Sequence, residues 1–179
     1  MSWQQRYPVD RLVPYDATWV ERYGELIRPL VTALGPDWAF EHVGSTSVPG
    51  LSAKPVIDVA IAPPPDRHLA KFTATIRDLG WSQPITLGDH DAIFVLDGTV
   101  RVAIGHVFTR VQWPSAHVRL FAHWLRLHAS DRDEYARLKA GLVADGVWGS
   151  DYTQGKAQFV LRVVNQARAS RGLPAVLSL

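Results

Sequence analysis

The feature that most constrains the fold is an apolar run with an acid at its centre. Residues 55–61 have the sequence PVIDVAI, and three consecutive prolines end the run after Ala62. A run this short, rich in β-branched residues and bounded by prolines, predicts a strand over residues 55–62 that is buried on both faces. Asp58 is the exception within it, because isolated carboxylates are almost never buried without a partner. Asp58 is therefore the first candidate for a functional residue.

The spacing of apolar residues elsewhere indicates both helices and strands. Asp16 is placed to cap a first helix that extends to Leu34, and Pro29 inside this helix should kink or split it. The Asp97-Gly98 dipeptide between two strand-like runs predicts a hairpin. The other predicted elements are a strand at 38–43, helices at 66–79 and 115–129, a helix with Ser130 as its N-cap, and a last helix with Phe159 and Val163 facing inward.

This order of elements, α-β-β-α-β-β-α-α-α, predicts an α/β (α+β) fold. We expect a mixed sheet with flanking helices and a helical C-terminal portion from about residue 114 to residue 179. A chain of 179 residues has the usual length of one domain, and we expect residues 1–179 to form one. There is no internal repeat and no low-complexity linker that would separate two units.

The composition excludes several classes of protein. The chain has no cysteine, so disulfide frameworks, thiolate zinc sites and cysteine nucleophiles are ruled out. The formal net charge is only +2 and no basic residues are consecutive, which gives no nucleic-acid footprint. No apolar run approaches the roughly 20 residues that span a bilayer, and the first residues lack the apolar core of a signal peptide. We therefore expect a cytoplasmic protein with a small-molecule partner, and the sequence does not predict its oligomeric state.

A small hydroxyl-rich turn lies upstream of the acid. The sequence GSTSVPG, which begins at Gly44, is not a phosphate loop of the Walker A type, because leucine follows its second glycine. A glycine followed by Ser45 and Thr46 after a strand can still form a concave group of N–H donors that binds an anion. The alternative is a tight turn whose hydroxyls bond only to the local backbone. Lys54 lies between the turn and Asp58.

Two interpretations of Asp58 remain open on the residues alone. The carboxylate can hold Mg²⁺, which prefers one or two carboxylates together with phosphate oxygens of a substrate. It can instead pair with Lys54 or an arginine in a purely structural ion pair. A third and weaker interpretation takes Ser52 as a nucleophile that Lys54 activates.

The seven histidines offer no recognised zinc motif, since none are paired four residues apart on a helix. Asp89, His90 and Asp91 form the densest local cluster, but adjacent residues point apart and a polar loop explains them. His42 and His106 differ, because each belongs to a predicted strand that can lie beside Asp58. Either side chain can then bond a phosphate or orient the carboxylate, although a buried, satisfied histidine is the more common case.

The segment HVGSTSVPGLSAKPVIDVAI resembles the defining segment of the GrpB-like (UPF0157) family, which belongs to the nucleotidyltransferase superfamily. A glycine-serine pair, then twelve residues, then an acid in an apolar strand is the signature of that superfamily, and Gly44, Ser45 and Asp58 match it. The segments PYDATWVERY, LRLHASDRDEYARLK and DYTQGKAQFV also resemble segments of the family. The resemblance covers most of the chain and implies a nucleotidyltransferase-like fold.

The resemblance implies that Gly44, Ser45 and Thr46 contact nucleotide phosphates and that Asp58 is a ligand of Mg²⁺. Lys54 and Lys156 are then placed to neutralise phosphate. The expected function is to bind a nucleotide or another phosphorylated small molecule. If the chain is catalytic, Asp58 and Lys54 are its expected catalytic residues, a nucleoside triphosphate is a possible substrate, and the reaction is transfer of a nucleotidyl or phosphoryl group.

The chain departs from the superfamily at its other acids. The second acid of active members is Ala60 here, and the strand at 99–109, which should carry a third, has His106 but no carboxylate. This departure undermines a two-metal mechanism. The alternative function is therefore a non-catalytic module for binding a metabolite or a protein. Convergence of further acids on Asp58 in space would favour an enzyme, and the candidates are Glu41, Asp89 and Asp91.

Overall fold

A five-stranded sheet with helices on both faces forms the protein, as seen in a computed structural model that describes residues 12–179. The elements in chain order are α1 (Thr18–Leu34), β1 (Ala39–Val43), β2 (Ile57–Ala62), α2 (Thr73–Asp78), β3 (Ile85–Leu87), β4 (His90–Asp97), β5 (Val100–Val107), α3 (His117–Leu127), α4 (Ala129–Ala144) and α5 (Gly149–Ala169). Short 3₁₀ helices cover Ser45–Ser47, Leu69–Phe72 and Trp113–Ser115. The predicted class, a mixed sheet with flanking helices and a helical C-terminal part, is confirmed.

The strands are arranged in the order β1-β2-β5-β4-β3. Strands β2 and β5 are parallel, whereas the other three neighbouring pairs are antiparallel. Strand β2 therefore has a neighbour on each side, as expected for the apolar run. The four apolar side chains predicted to be buried in this segment are at most 6% exposed: Val56, Ile57, Val59 and Ile61.

Alternation along β2 divides the apolar core from the functional face. Ile57, Val59 and Ile61 pack in the largest core cluster, together with residues of α1 and α2. Because successive side chains of a strand point to opposite faces, Asp58 and Ala60 face the other way. Ala60 packs there against Val43 and against Ala122 of α3. Asp58 thus lies on the face of the sheet that is covered by α3, α4 and α5.

Helix α1 is continuous through Pro29, so of the two predicted effects of this proline, a kink or a split, the split does not occur. Proline removes one N–H and crowds the preceding turn, but the side chains that follow it, Leu30 and Leu34, are buried and hold the last turn against the core. The N-cap is Ala17 and not the predicted Asp16, although the Asp16 carboxylate, one residue earlier, accepts hydrogen bonds from the N–H of Thr18 at 2.9 Å and from its hydroxyl at 2.7 Å.

Three other elements differ from their predicted form. The helix expected at 66–79 is reduced to a 3₁₀ turn and the six residues of α2. Strand β3 was not predicted, since three residues are too few for a period to be visible. Helix α4 begins at Ala129, so Ser130 lies inside it and is not the N-cap. Within the described residues, none of the helices combines the length and the apolar character that crossing a membrane requires.

Candidate functional site

A cavity of about 280 Å³ lies between the sheet and the C-terminal helices, and Asp58 is in its wall. The strands β2 and β5 form its floor, the 3₁₀ turn after β1 forms one side, and α4 and α5 form the other. The residues that line it are Ser45, Thr46, Lys54, Val56, Asp58, Ile104, His106, Lys139, Tyr152, Thr153 and Lys156. The structure therefore brings together six of the eight residues that the sequence singled out, leaving only Gly44 and His42 outside the wall.

Gly44 lies directly against the carboxylate of Asp58. Strand register places Val43 opposite Asp58, so the next residue turns over the acid. The backbone of Gly44 has a φ of 68°, a left-handed value that side chains disfavour. A Cβ atom at this position would stand 2.1 Å from Asp58 Oδ2, far inside any van der Waals contact. The glycine is therefore required by the acid beside it as well as by its own backbone conformation.

The three hydroxyls of the turn have different partners: two bond to backbone carbonyls, and one bonds to a lysine of the cavity. Thr46 Oγ1 donates to the carbonyl of Val56 at 3.4 Å, and Ser47 Oγ donates to the carbonyl of Gly44 at 2.7 Å. These two hydroxyls satisfy local backbone, as the tight-turn alternative predicts. Ser45 differs, because its Oγ accepts a hydrogen bond of 3.2 Å from Lys139 Nζ on α4. Ser45 is therefore the hydroxyl of the turn that is already engaged with a cation of the cavity.

His42 lies behind the turn and is not in the cavity wall. Its Nε2 is 3.0 Å from Thr46 Oγ1, and its ring stacks on Tyr23 of α1 with centroids 4.9 Å apart. Burial lowers the pKa of His42 to about 4, so the ring is neutral at physiological pH. The geometry gives His42 a supporting contact with Thr46, and the predicted contact with a phosphate has no support in its placement.

Three lysines surround the cavity, although the whole chain has only four. Lys139 Nζ donates to Ser45 Oγ and to the carbonyl of Ser52. Burial, and to a lesser degree the positive charge of Lys156, lower the pKa of Lys139 to about 7. Burial and the charge of Lys54 likewise lower the pKa of Lys156 to about 8, against the opposing effect of Asp58. The cavity thus concentrates positive charge that its own groups compensate only in part.

Aromatic rings support these ammonium groups. Lys54 Nζ and Lys156 Nζ lie 4.0 Å and 4.2 Å from the ring centroid of Tyr152 on α5, and Lys54 is also 4.7 Å from the ring of Trp148. Lys139 Nζ is 4.8 Å from the ring of Tyr135, one turn earlier on α4. The negative face of an aromatic ring attracts a cation over such distances. The rings hold the cations in the wall without contributing a competing negative charge.

Asp58 is the one carboxylate among the residues that line the cavity in the described part of the chain. Its Oδ1 lies 3.6 Å from Nε2 of His106 on the neighbouring strand β5. His106 is placed there by register, because Asp58 pairs with Ile104 and His106 is the next residue of β5 on the same face. The expected closeness of His106 to Asp58 is therefore observed.

Glu41 lies on the same face of the sheet as Asp58 but is fully engaged elsewhere. Its carboxylate accepts a hydrogen bond of 2.6 Å from Arg119 Nε and a shorter one from His123, and Arg126 Nη1 is 3.8 Å away. Burial alone would raise the pKa of Glu41, but the hydrogen bonds from His123 and Arg119 outweigh it and hold that pKa below its ordinary value. Glu41 is thus a compensated structural anion.

The two remaining candidate acids also have other partners. Asp91 Oδ1 accepts a hydrogen bond of 2.9 Å from Thr86 Oγ1 on β3. Asp89 Oδ1 lies 3.0 Å from His90 Nδ1. Neither is among the residues of the cavity wall, and the carboxylates that would have favoured an enzyme do not converge on Asp58.

Comparison with known proteins places this chain in a family. The family model for the GrpB protein matches residues 10–166. The chain belongs to the GrpB family. A UPF0157 protein of Pseudomonas aeruginosa is 31% identical over 172 residues, covering 93% of this chain and 71% of that protein. A UPF0157 protein of Streptomyces coelicolor is 32% identical over 162 residues, covering 89% of this chain and 85% of that protein.

One solved structure of the family agrees with the fold. The crystal structure of the conserved protein GrpB from Enterococcus faecalis superposes with a TM-score of 0.77 at 22% identity, covering 90% of this chain and 99% of that one. A more distant likeness is to terminal uridylyl transferase 4 from Trypanosoma brucei with bound dUTP, at a TM-score of 0.49 and 17% identity, covering 91% of this chain and 57% of that one.

Among the residues of the cavity wall that sequence reasoning missed in this GrpB-family chain, Lys139 is a cation and Tyr152 supports two others. A signal for Lys139 was present, because it follows Tyr135 by four residues and so shares its buried helix face. The scarcity of lysine in this chain was a second signal. A buried position is unusual for lysine, so a lysine on a buried helix face is informative. Ser52, the nucleophile of the weaker hypothesis, contributes its carbonyl to Lys139 and no atom to the cavity wall.

The contact between Gly44 and Asp58 predicts a difference between two glycines. Gly44→Ala and Gly50→Ala both place a side chain on a left-handed backbone, which costs about 1–2 kcal/mol. Gly50 has open space around it, whereas a side chain at Gly44 collides with the carboxylate. We expect Gly44→Ala to lower the unfolding free energy by about 1–3 kcal/mol more than Gly50→Ala, as measured by urea denaturation.

A double-mutant cycle supplies the control for that prediction. Asp58→Ala removes the two closest colliding atoms, so it should recover part of the extra loss in the Gly44→Ala background. Equal losses for Gly44→Ala and Gly50→Ala, or no coupling between positions 44 and 58, would contradict the contact.

Proposed function

We propose that this GrpB-family protein binds a nucleotide or another phosphorylated small molecule in the lysine-lined cavity. The observation that carries the proposal is that three of the four lysines of the chain, Lys54, Lys139 and Lys156, surround one cavity that holds a single carboxylate. With every group ionised, three positive charges and the negative charge of Asp58 leave a net charge of +2. An anion with two or more negative charges is the complement of such a wall.

The lowered pKa values of Lys139 and Lys156 show what the ligand would contribute. Burial disfavours the charged form of both ammonium groups, and so does repulsion from a neighbouring lysine, which is Lys156 for Lys139 and Lys54 for Lys156. A phosphate group between them would supply the missing negative charge and accept their hydrogen bonds, which are stronger than neutral ones. Ser45 Oγ, already bonded to Lys139, would orient the same anion from the turn.

The size of the cavity favours the phosphate-bearing part of a ligand. Sites for complete small molecules commonly have volumes of about 300–1,000 Å³. A cavity of about 280 Å³ is at the lower limit of that range. We therefore infer that phosphate groups occupy the cavity and that the remainder of the molecule, such as a nucleoside, extends from its mouth.

A single magnesium ion fits this proposal in one way. Mg²⁺ is commonly held by one or two carboxylates and by phosphate oxygens of the ligand, and Asp58 supplies one carboxylate. Asp58 would hold the ion that a nucleoside polyphosphate brings with it, and the ion would offset charge on the phosphates. The described residues of the cavity offer no second carboxylate for another ion.

Binding has better support than transfer of a nucleotidyl or phosphoryl group. The position two residues after Asp58 is Ala60, which is fully buried against Val43 and Ala122. Glu41 lies opposite Ala60 in the strand register, and its negative charge is already compensated by Arg119. A two-metal mechanism needs clustered carboxylates. The proposal is therefore a binding protein, with Asp58 and Lys54 as the residues that a transfer reaction would have to use.

Exchange of each buried lysine for methionine tests the proposal. Hydrogen bonds to charged groups contribute about 1.5–3 kcal/mol, and 1.4 kcal/mol is a factor of ten in affinity. We expect Lys139→Met and Lys156→Met each to weaken binding of ATP and of inorganic triphosphate by about 10–100-fold in isothermal titration calorimetry. Lys71→Met, at the one lysine outside the cavity, is the matched control and should bind like the parent.

Two results would reject the cavity as the site. One is that neither ATP nor triphosphate binds the parent protein at millimolar concentration. The other is that Lys71→Met weakens binding as much as Lys139→Met does, which would indicate attraction by overall charge alone.

Asp58→Asn separates the magnesium site from the anion site. Asparagine keeps the size of the side chain but removes the charge that attracts Mg²⁺ and repels phosphate. We expect the variant to bind ATP more tightly than the parent in the absence of Mg²⁺, and to lose the gain that Mg²⁺ gives the parent. The ratio of the two dissociation constants, with and without Mg²⁺, is the measurement. An unchanged ratio would show that Asp58 holds no magnesium ion.

The pKa of Lys139 predicts how stability depends on pH. This pKa is about 7 in the folded protein against an ordinary value of 10.5, so between these values the unfolded chain binds more protons. Stability therefore rises with pH across this window, by up to about 1.4 kcal/mol per pH unit for one proton. Lys139→Met should flatten the rise between pH 7 and pH 9.5 in urea denaturation. Identical slopes for parent and variant would contradict the buried ammonium.

A further inference from the structure

A second cluster of ligand-bearing side chains lies beside the cavity and belongs to different elements. Asp89 precedes β4, His90 begins β4, and His117 is the first residue of α3. One ligand atom from each of these three side chains lies within 4.8 Å of the others. The sequence alone does not predict this arrangement, because His117 is distant in the chain from Asp89 and His90. Its position beside them depends on how α3 packs.

Neighbouring contacts fix these side chains in place. The ring of His90 stacks on Phe108, with centroids 4.5 Å apart, and is 5.3 Å from the ring of His117. The backbone of Asp89 is held by Gln112, whose Nε2 donates to the Asp89 carbonyl at 2.7 Å. The two imidazoles are mostly buried, whereas 62% of the Asp89 side chain is exposed. One side of the cluster is packed against the protein, and the other side is open to solvent.

We propose that Asp89, His90 and His117 bind one divalent transition-metal ion of the zinc type. Two imidazoles and one carboxylate match the ligand preference of zinc and its neighbours, whereas magnesium prefers oxygen ligands alone. The separation of 3.0 Å between His90 Nδ1 and Asp89 Oδ1 suits two ligands of one ion. With three protein ligands and an exposed side, at least one coordination position is left for water or a small molecule.

An outer partner for the site is already present. His90 Nε2 lies 3.0 Å from His106 Nδ1, and His106 Nε2 lies 3.6 Å from Asp58 Oδ1. A metal on His90 Nδ1 leaves a proton on its Nε2, which donates to His106 Nδ1. His106 then carries its own proton on Nε2, directed at Asp58. Metal-bound histidines commonly donate their second N–H in this way. A single assignment of protons therefore fits the contact of His90 with His106 and that of His106 with Asp58.

The site is inferred from the convergence of its three ligand atoms and from the ring contacts of its two imidazoles. The site does not depend on whether the lysine-lined cavity binds phosphate, so either proposal can fail alone.

A zinc titration of the untagged chain, with a chelator as competitor, tests the site. His117→Ala removes a ligand and should weaken Zn²⁺ binding the most. His106→Asn removes only the outer partner and should weaken it by about 10–100-fold, as is usual for such partners. His68→Ala is the matched control, because His68 is an exposed histidine that is not one of the three ligands, and it should bind Zn²⁺ like the parent. Melting temperatures establish that each variant is folded.

Ring-nitrogen NMR of the parent protein is a readout that needs no variant. We expect Zn²⁺ to shift the Nδ1 resonance of His90 and one nitrogen of His117. The proposal is overturned if His68→Ala weakens binding as much as His117→Ala does, which would indicate surface binding alone. It is also overturned if Asp58→Asn abolishes zinc binding, which would place the ion in the cavity, or if His90 ligates through Nε2, which would break its contact with His106.

Discussion

The carboxylate of Asp58 lies on β2, an interior strand of the sheet, and against the backbone of Gly44, and this contact determines the arrangement around it. No side chain can occupy position 44 while the acid keeps its place, because a Cβ would stand 2.1 Å from Oδ2. The chain must therefore leave β1 with a glycine in a left-handed conformation. The turn that follows brings Ser45 to the cavity wall, where Lys139 bonds its hydroxyl. One carboxylate thus fixes both the turn and the position of a cation.

The alternation of a β-strand is what keeps the apolar core and the polar cavity apart. On β2, Ile57, Val59 and Ile61 stabilise the face toward α1, and a slip by one residue would exchange them with Asp58 and Ala60. Such a slip would bury a charge in the core and expose three large apolar side chains. The hydrophobic effect therefore enforces the register of the functional face, although none of the buried apolar side chains on the other face contacts the cavity.

Local patterns were sufficient to predict the parts of the site that are close in sequence. The turn at Gly44 and the acid at Asp58 are fourteen residues apart, and the antiparallel pairing of β1 with β2 brings them together. Spacing and composition were therefore sufficient to identify both. Lys139 and His117 reach their sites only through the packing of α4 and α3 on the sheet. No periodicity in their own segments encodes that packing. Helix 66–79 was predicted too long at its start, because residues 66–68 are not helical and Leu69–Phe72 form a 3₁₀ helix before α2 begins at Thr73.

Two carboxylates on the same face of the sheet, Glu41 and Asp58, show how charge balance distinguishes structure from function. Glu41 receives hydrogen bonds from Arg119 and His123, so its charge is compensated within the fold and any further ligand would have to displace them. The cavity around Asp58 has the opposite balance, because the three lysines in its wall outnumber the one acid. A fold keeps an uncompensated excess of buried charge at a cost in stability, as the lowered pKa values of Lys139 and Lys156 indicate. An anionic ligand would remove that cost on binding, so the excess is the physical reason for proposing a binding site at the cavity and not at Glu41.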